Sequence, residues 1–273
     1  MRFAIRNLRA SRVNLLMNDY AAGLPSPMAF LGLAESIGRD LGVEPWSASI
    51  LPVLHAVHVS EGRTKPEMEP KSGAFTPIEI MEDMVGTVEV SLLIDLPGIE
   101  TVADVKNVVL TKRIAGGTIA NRDVRVDAIP LDGAGFKGLS RGYAMVRPDQ
   151  VERQLISSGD LVQMERIAQI LFPAVREPGR GWIVPVAVGH RLLENPDTAQ
   201  RRIRARSPDM PHVFVEPCVG IAELISIRNA RLTALNEADL TERFWRWFVT
   251  DSHILGHPSY QPHSSHHPHN ATA

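Results

Sequence analysis

Apolar and polar positions in the first half of the chain change from alternation to helical spacing and back. Residues 2–14 alternate loosely and predict a first strand. A helix is predicted next, because Ser26 is a favoured N-cap, Pro27 suits the first helical position and Gly42 is placed to end the helix. The apolar residues of this helix recur every three or four positions, at Phe30, Leu33, Ile37 and Leu41.

The pattern after this helix predicts two strands and an exposed segment between them. Residues 47–59 and 88–94 are rich in valine, leucine and isoleucine without a helical stripe, and predict strands. Residues 60–82 contain several glycines, prolines and charged residues but few core residues. We expect this segment to be an exposed excursion, such as a protruding hairpin.

A second helix and a further strand complete the series. Thr101 can cap a helix with apolar positions at Val102, Val105 and Val109, and residues 118–129 alternate like a strand. The resulting order is βαββαβ, which is that of the ferredoxin-like fold often used by RNA-recognition domains. We therefore predict an α+β protein with a ferredoxin-like domain over residues 1–147.

The second half predicts a smaller, irregular α+β region over residues 148–251. Its expected elements are a helix near residues 161–171, strands at Trp182–Val186 and Val213–Val215, and a helix at Asp239–Phe248. Pro185 indicates a sheet edge or a bulge, because proline cannot donate to a strand ladder. Residues 252–273 are rich in His, Pro and Ser, and we expect a disordered tail.

The composition narrows the class of protein. No run approaches the roughly 18 apolar residues that span a bilayer, and Arg6 interrupts any leader-like N-terminus, so we expect a cytoplasmic protein. A net charge of -2 is low for a protein that binds nucleic acid alone through a broad basic face. Arginines are nevertheless concentrated locally, at positions 2, 6, 9 and 12 and at 201–206.

Residue patterns that support catalysis or a bound cofactor are missing from the sequence. Phosphate-loop, nucleophile-elbow and zinc-protease motifs are absent, so we predict neither an enzyme nor a cofactor. His55 and His58 lie three apart in an expected strand and should point to opposite faces. The histidines of the tail suit weak metal binding, as in a purification tag, but no metal site is predicted.

The segment from Lys112 to Ile119 (KRIAGGTI) is the most suggestive motif. Its glycines would let backbone N–H groups approach phosphates at a helix-to-strand junction, although spacing alone favours a plain helix C-cap. Arg141 and Tyr143 could likewise offer a guanidinium and an aromatic ring to a splayed nucleotide, or Tyr143 could belong to the core.

Six segments, taken in order, resemble one protein family. They are Gly23–Gly32 (GLPSPMAFLG), Val88–Leu93 (VEVSLL), Arg113–Ile119 (RIAGGTI), Arg141–Val146 (RGYAMV), Gly181–Pro185 (GWIVP) and Phe214–Glu216 (FVE). This set resembles the Csy-type subunit that binds the crRNA 5′ handle in type I-F CRISPR Cascade complexes, a member of the RAMP superfamily. The resemblance spans residues 23–216 and leaves out the tail.

The resemblance implies a non-catalytic, RNA-binding role. A protein of this family would bind the 5′ handle of the crRNA, contact the large subunit and the repeated backbone subunit, and meet target DNA through the complex. Residues 60–82 would be its thumb. The positions that match family motifs make Ser26, Arg113, Gly116, Gly117 and Thr118 the first candidates for RNA contact, followed by Arg63 and Lys65 in the thumb and by Arg141.

This chain departs from the family pattern in three ways, and two other functions stay open. It is shorter between residues 148 and 181, its first-strand arginines match no family motif, and its His-rich tail is unfamiliar, as in a compact variant of the system. One alternative is a RAMP endoribonuclease that processes CRISPR precursor RNA with His58, Tyr143 and Lys65. The other is a protein scaffold that makes no RNA contact.

Overall fold

A computed structural model of the chain describes residues 1–60, 63–71, 74–148, 160–175, 177–199 and 212–257. The helices are α1 (Pro27–Asp40), α2 (Val102–Val109), α3 (Asp160–Leu171), α4 (Ala230–Thr233) and α5 (Glu237–Thr241), with a 3-10 helix at Gly133–Phe136. The strands are β1 (Arg2–Asn14), β2 (Leu16–Asn18), β3 (Ala21–Ala22), β4 (Ser49–Val59), β5 (Arg63–Lys71), β6 (Ala74–Asp83), β7 (Val85–Asp95), β8 (Arg113–Ile114), β9 (Gly117–Ile119), β10 (Arg125–Ala128), β11 (Tyr143–Val146), β12 (Trp182–Leu192), β13 (Val215–Ser226), β14 (Arg246–Val249) and β15 (His253–His257).

Strands from both halves of the described chain form one large sheet. Its order is β14-β15-β12-β13-β11-β4-β7-β1-β9-β8, and β10 pairs with the other end of β1. The central strands β4, β7, β1 and β10 are antiparallel, and α1 and α2 fall between them in the chain. The α+β class is confirmed. The order of elements is compatible with the ferredoxin-like prediction, which remains a prediction.

The two faces of the sheet carry separate cores. On one face, called the helix face, Phe30 and Ile37 of α1 and Val105 of α2 pack with alternate strand residues such as Phe3 and Val90. On the other face, called the far face, Leu51 and Leu93 pack with the 3-10 helix, α4 and α5. The period of two in strand side chains explains why neighbouring residues such as Phe3 and Ala4 join different cores.

The expected start of α1 is confirmed, and that of α2 is confirmed in position only. The Ser26 hydroxyl accepts from the Met28 N–H at 3.1 Å, and Gly42 follows the helix with a φ of 73°. Thr101 lies at the N-cap of α2, but its hydroxyl donates to the Asp104 carboxylate instead of accepting from the backbone.

The excursion expected over residues 60–82 contains a hairpin. Strands β5 and β6 pair from Arg63↔Asp83 to Lys71↔Ala74 and form a two-stranded sheet of their own. The expected edge or bulge at Pro185 is also confirmed. Among the described strands, β12 pairs only with β13 at Trp182–Ala187, β15 joins it at Gly189, and the register shifts between Ala187 and Gly189.

Several expected elements are wrong in their extent. The strand expected at Val213–Val215 begins only at Val215, as β13. The strand expected over residues 118–129 is split into β9 and β10. The helix expected at Asp239–Phe248 ends at Thr241, because the Trp245 backbone pairs with Ile50 in both directions, at 2.8 and 3.0 Å, and β14 follows. The tail expected from residue 252 begins later, since β15 pairs with β12 and β14. Residues 258–273 and 201–206 lie outside the described part.

Candidate functional site

A tight hairpin carries four of the residues selected by the resemblance. Arg113 of β8 pairs with Thr118 of β9, and the two-residue connection consists of Ala115 with a φ of 46° and Gly116 with a φ of 79°. Positive φ at both central residues is the arrangement of a type I′ turn. The favoured interpretation of this segment as a helix C-cap is therefore wrong, and α2 ends before it, at Val109.

The β8–β9 hairpin packs closely against the end of β1. Thr118 lies opposite Ser11, and the Asn14 N–H donates to the Ala115 carbonyl at 3.0 Å. A Cβ at Gly117 would lie 2.7 Å from the Ser11 carbonyl oxygen, so only glycine fits there without displacement. Gly117 therefore has a packing role that spacing in the sequence did not reveal.

The other three candidate residues of the hairpin lie at the surface. Arg113, Gly116 and Thr118 are exposed, and no atom comes within 4 Å of a Cβ built on Gly116. The Arg113 guanidinium makes one weak hydrogen bond, from Nη1 to the Gly116 carbonyl at 3.3 Å. The hairpin thus presents a cation, a hydroxyl and unobstructed backbone side by side.

Ser26 lies away from this hairpin. Its hydroxyl donates to the Ala187 carbonyl of β12 at 2.5 Å, which ties the start of α1 to the sheet. At the other end of α1, Asp40 accepts from Lys112 beside the hairpin at 2.6 Å. A helix of 14 residues is about 21 Å long. The structure therefore places Ser26 about one helix length from the end of α1 that Lys112 contacts.

Arg141 belongs to the far face of the sheet. Arg141 is exposed. A backbone hydrogen bond holds it in place, since its carbonyl accepts from His55 Nδ1 at 2.8 Å. His55 Nε2 lies 2.7 Å from Ser91 Oγ, and Ser91 Oγ accepts from the Asn7 N–H at 3.0 Å. Because a carbonyl can only accept, Nδ1 carries the proton in this network. The side chains of Arg63 and Lys65 lie outside the described residues.

His55 and His58 share a face, contrary to the expectation from their spacing. His55 bonds to Ser91, His58 lies opposite Thr87, and these two partners are four residues apart on one strand. The reason is a bulge between Leu54 and Ala56, which reverses the alternation once.

Two residues of the endoribonuclease alternative, Tyr143 and His58, do not converge. Tyr143 lies opposite Leu54, which belongs to the core of the helix face, whereas His58 lies with Thr87 on the far face. The sheet thus separates the Tyr143 and His58 side chains. Since general acid–base catalysis needs both groups within hydrogen-bond reach of one substrate, these two do not form such a pair.

The arginines of β1 differ in how far they are buried and ion-paired. Ion pairs join Arg2 to Asp95, Arg6 to Asp127 and Arg9 to Glu89. Arg2 is buried, with 1% of its side chain exposed, whereas Arg9 is 65% exposed and only 3.5 Å from its partner. Arg12 is exposed at a second break in the β1–β7 register. The sequence did not distinguish these roles, because the breaks in register determine where each side chain points.

Among the described residues, no three His, Cys, Asp or Glu side chains are grouped so that they could hold a metal ion. Within the same part of the chain, no helix has the length and apolar character needed to cross a membrane.

A comparison with protein families gives a match. The family model of CRISPR-associated protein (Cas_Csy2) matches residues 161–253, which contain the Gly181–Pro185 and Phe214–Glu216 motifs. No curated protein matches the chain. The family match supports a Csy-type CRISPR-associated protein. The matched part is joined to the central strands through β11, which pairs with β4 on one side and β13 on the other.

Proposed function

We propose that the chain is a non-catalytic subunit of a type I-F CRISPR surveillance complex that binds the 5′ handle of the crRNA and joins the large subunit to the repeated backbone subunit. The family match at residues 161–253 supports the Csy assignment. The observation that carries RNA binding is the exposed β8–β9 hairpin, where Arg113, Gly116 and Thr118 meet.

The chemistry of this hairpin suits a phosphodiester backbone. An arginine guanidinium donates two parallel hydrogen bonds to phosphate, and the Thr118 hydroxyl can donate to a phosphate or a ribose oxygen. At Gly116 the missing side chain leaves the backbone open to close approach. Contacts of this kind hold an RNA end in position without reading much sequence, and recognition of target DNA is then left to pairing with the guide.

A near-neutral chain is compatible with this role. The net charge of -2 is spread over a protein that would bury much of its surface against other subunits and would need positive charge only where it meets RNA. Local cations such as Arg113 supply that charge.

Co-purification tests the proposal. The full chain is expressed with its genomic neighbours, the complex is isolated, and its RNA is sequenced. We expect a uniform set of short RNAs that share one 5′ end. A complex without RNA, or with random RNA fragments, would overturn the proposal.

Incubation with repeat RNA tests the non-catalytic part separately. Purified complex in excess over a CRISPR repeat RNA, without metal, should leave the RNA intact. Site-specific cleavage that is lost on changing His58 would favour the endoribonuclease alternative instead.

A further inference from the structure

An open groove of about 740 Å³ lies where β1, β4 and β7 meet the base of the β5–β6 hairpin. Its volume is within the range of about 300–1,000 Å³ that is usual for sites holding a small organic molecule. It is lined by Ser11, Arg12, His58, Val59, Ser60, Asp83, Val85, Gly86 and Thr87.

Arg12 adopts a conformation that is unusual for its residue type. Its φ is 57°, in the left-handed region, and it falls where the β1–β7 register shifts between Ala10 and Val13. A residue other than glycine keeps such a conformation only when its surroundings impose it, and these residues cluster at binding sites. A bulge also changes where a strand residue points, and Arg12 is among the residues that line the groove.

Three polar side chains of the groove are available for a ligand. Arg12, His58 and Thr87 are exposed, and within the part of the chain that the structure describes no hydrogen bond or ion pair engages their side chains. The other arginines of β1 are all ion-paired, as described above. An unpaired cation beside an unpaired imidazole in one groove is thus a local feature, distinct from the general basic character of the strand.

The wall of the groove matches the mixed chemistry of a nucleotide. Val85 offers apolar surface to the flat face of a base. An imidazole ring or a guanidinium plane can stack on that base, and hydroxyl groups such as Thr87 can bond its edge or the ribose 2′-OH. Arg12 lines the same groove, and its guanidinium can bind the phosphate.

The groove is continuous with the β8–β9 hairpin. Ser11 lines the groove and lies opposite Thr118 of the hairpin, so the two surfaces share the end of β1. We propose that this groove holds one unstacked nucleotide of the bound RNA, with its phosphate on Arg12 and its base against His58 and Val85. This inference rests on the proposed RNA-binding function and adds a site to it.

Chemical probing of the RNA inside the purified complex tests the groove. Each ribose of the bound RNA is probed with a 2′-OH acylating reagent in the wild-type complex and in complexes carrying Arg12→Gly or His58→Ala. Glycine suits the left-handed conformation at position 12, so Arg12→Gly should fold and assemble. The matched control is Arg228→Ala, which removes an exposed arginine after β13.

The expected result is local. One nucleotide near the 5′ end should become about tenfold more reactive in both groove variants, as expected for loss of a charge-assisted contact, while its neighbours and the Arg228→Ala complex stay unchanged. Ultraviolet cross-linking of the wild-type complex should attach that nucleotide to the peptide containing His58 or Thr87.

Two outcomes overturn the inference and are distinguishable. If RNA with a common 5′ end is bound but its reactivity is the same in all complexes, the groove is not a nucleotide site and the proposed function stands. If the wild-type complex holds no such RNA, both the function and the groove site are wrong. Should Arg12→Gly fail to assemble, His58→Ala decides alone.

Discussion

The Arg2 side chain joins both halves of the described chain from a buried position. Its guanidinium donates to both carboxylate oxygens of Asp95, at 2.7 and 2.9 Å, and to the Thr241 hydroxyl at 3.0 Å, and lies 4.3 Å over the Phe244 ring. Removing it leaves Asp95 without its cation in a mostly buried place. We expect Arg2→Ala to lower the free energy of unfolding by about 3–5 kcal/mol.

Urea unfolding followed by tryptophan fluorescence measures the effect of Arg2→Ala, with Arg9→Ala as the matched control. Arg9 lies on the same strand, but it is 65% exposed and 3.5 Å from Glu89. Solvent screening limits such a pair to at most about 1 kcal/mol. Equal decreases in the free energy of unfolding of the two variants would show that burial of the Arg2 pair does not matter for stability.

Asp127 should give part of the stability a dependence on pH. Its burial raises the pKa, but hydrogen bonds from Arg6 and Arg125 outweigh this and hold the pKa below its ordinary value of 3.8. A carboxyl group whose pKa is lowered by folding contributes fully above pH 3.8 and loses its contribution as the pH falls further. We expect Asp127→Asn to lower the melting temperature at pH 7 and to have little effect near pH 2. If the melting temperatures of the wild type and the variant differ by the same amount at both pH values, the lowered pKa of Asp127 does not contribute to stability.

At the scale of elements, regular patterns were predictable and interruptions were not. β1, α1, β4, β7 and α2 were each indicated by apolar period or by capping residues, because these signals are local. The bulges at Leu54 and around Arg12 have no such signal, yet they determine which face His58 and Arg12 occupy. The Trp245 backbone pairs with Ile50, nearly 200 positions away, and such a tertiary contact ends a helix that local spacing favoured.

The candidate site shows the same division. The sequence selected Arg113, Gly116, Gly117 and Thr118 through a resemblance, and the structure gathers them in one hairpin. The sequence placed Ser26 in the same list, whereas in the structure its hydroxyl ties α1 to β12. Whether two motifs meet depends on sheet order and helix length, which motif spacing does not contain.

The β8–β9 hairpin should depend on the two glycines in different ways. A Cβ at Gly117 would meet the Ser11 carbonyl and Val13 at 2.7 Å, so we expect Gly117→Val to displace the hairpin from β1 and to lower the melting temperature by several degrees, for a loss of about 2 kcal/mol. Gly116 needs a positive φ but has free space, so Gly116→Asn should keep the fold. Thermal unfolding of both variants checks this. If both behave alike, the hairpin is not packed as described.

At the scale of the whole molecule, one sheet connects the hairpin surface to the part that matches the family model. Strand β1 pairs with β9 of the hairpin on one side and with β7 on the other. Strand β7 pairs with β4, and β11 links β4 to β13. Continuous strand pairing would therefore keep RNA held at one end of the sheet in fixed relation to protein contacts made by the matched part. A subunit that joins an RNA end to other subunits needs such a rigid connection.

The proposed function and the scaffold alternative differ in what Arg113→Glu does to the whole complex. Arg113 is exposed and makes only one weak contact, so its replacement should leave the fold and the protein contacts intact. A carboxylate at this position repels phosphate. We therefore expect the variant to join its protein partners while the 5′ end of the RNA becomes sensitive to nuclease. Subunit content is measured by mass spectrometry and RNA protection by nuclease digestion, with Arg228→Glu as a matched control. If the RNA end stays protected in the Arg113→Glu variant, the scaffold alternative is favoured. In a protein that does not contact RNA, the charge at position 113 does not affect nuclease protection.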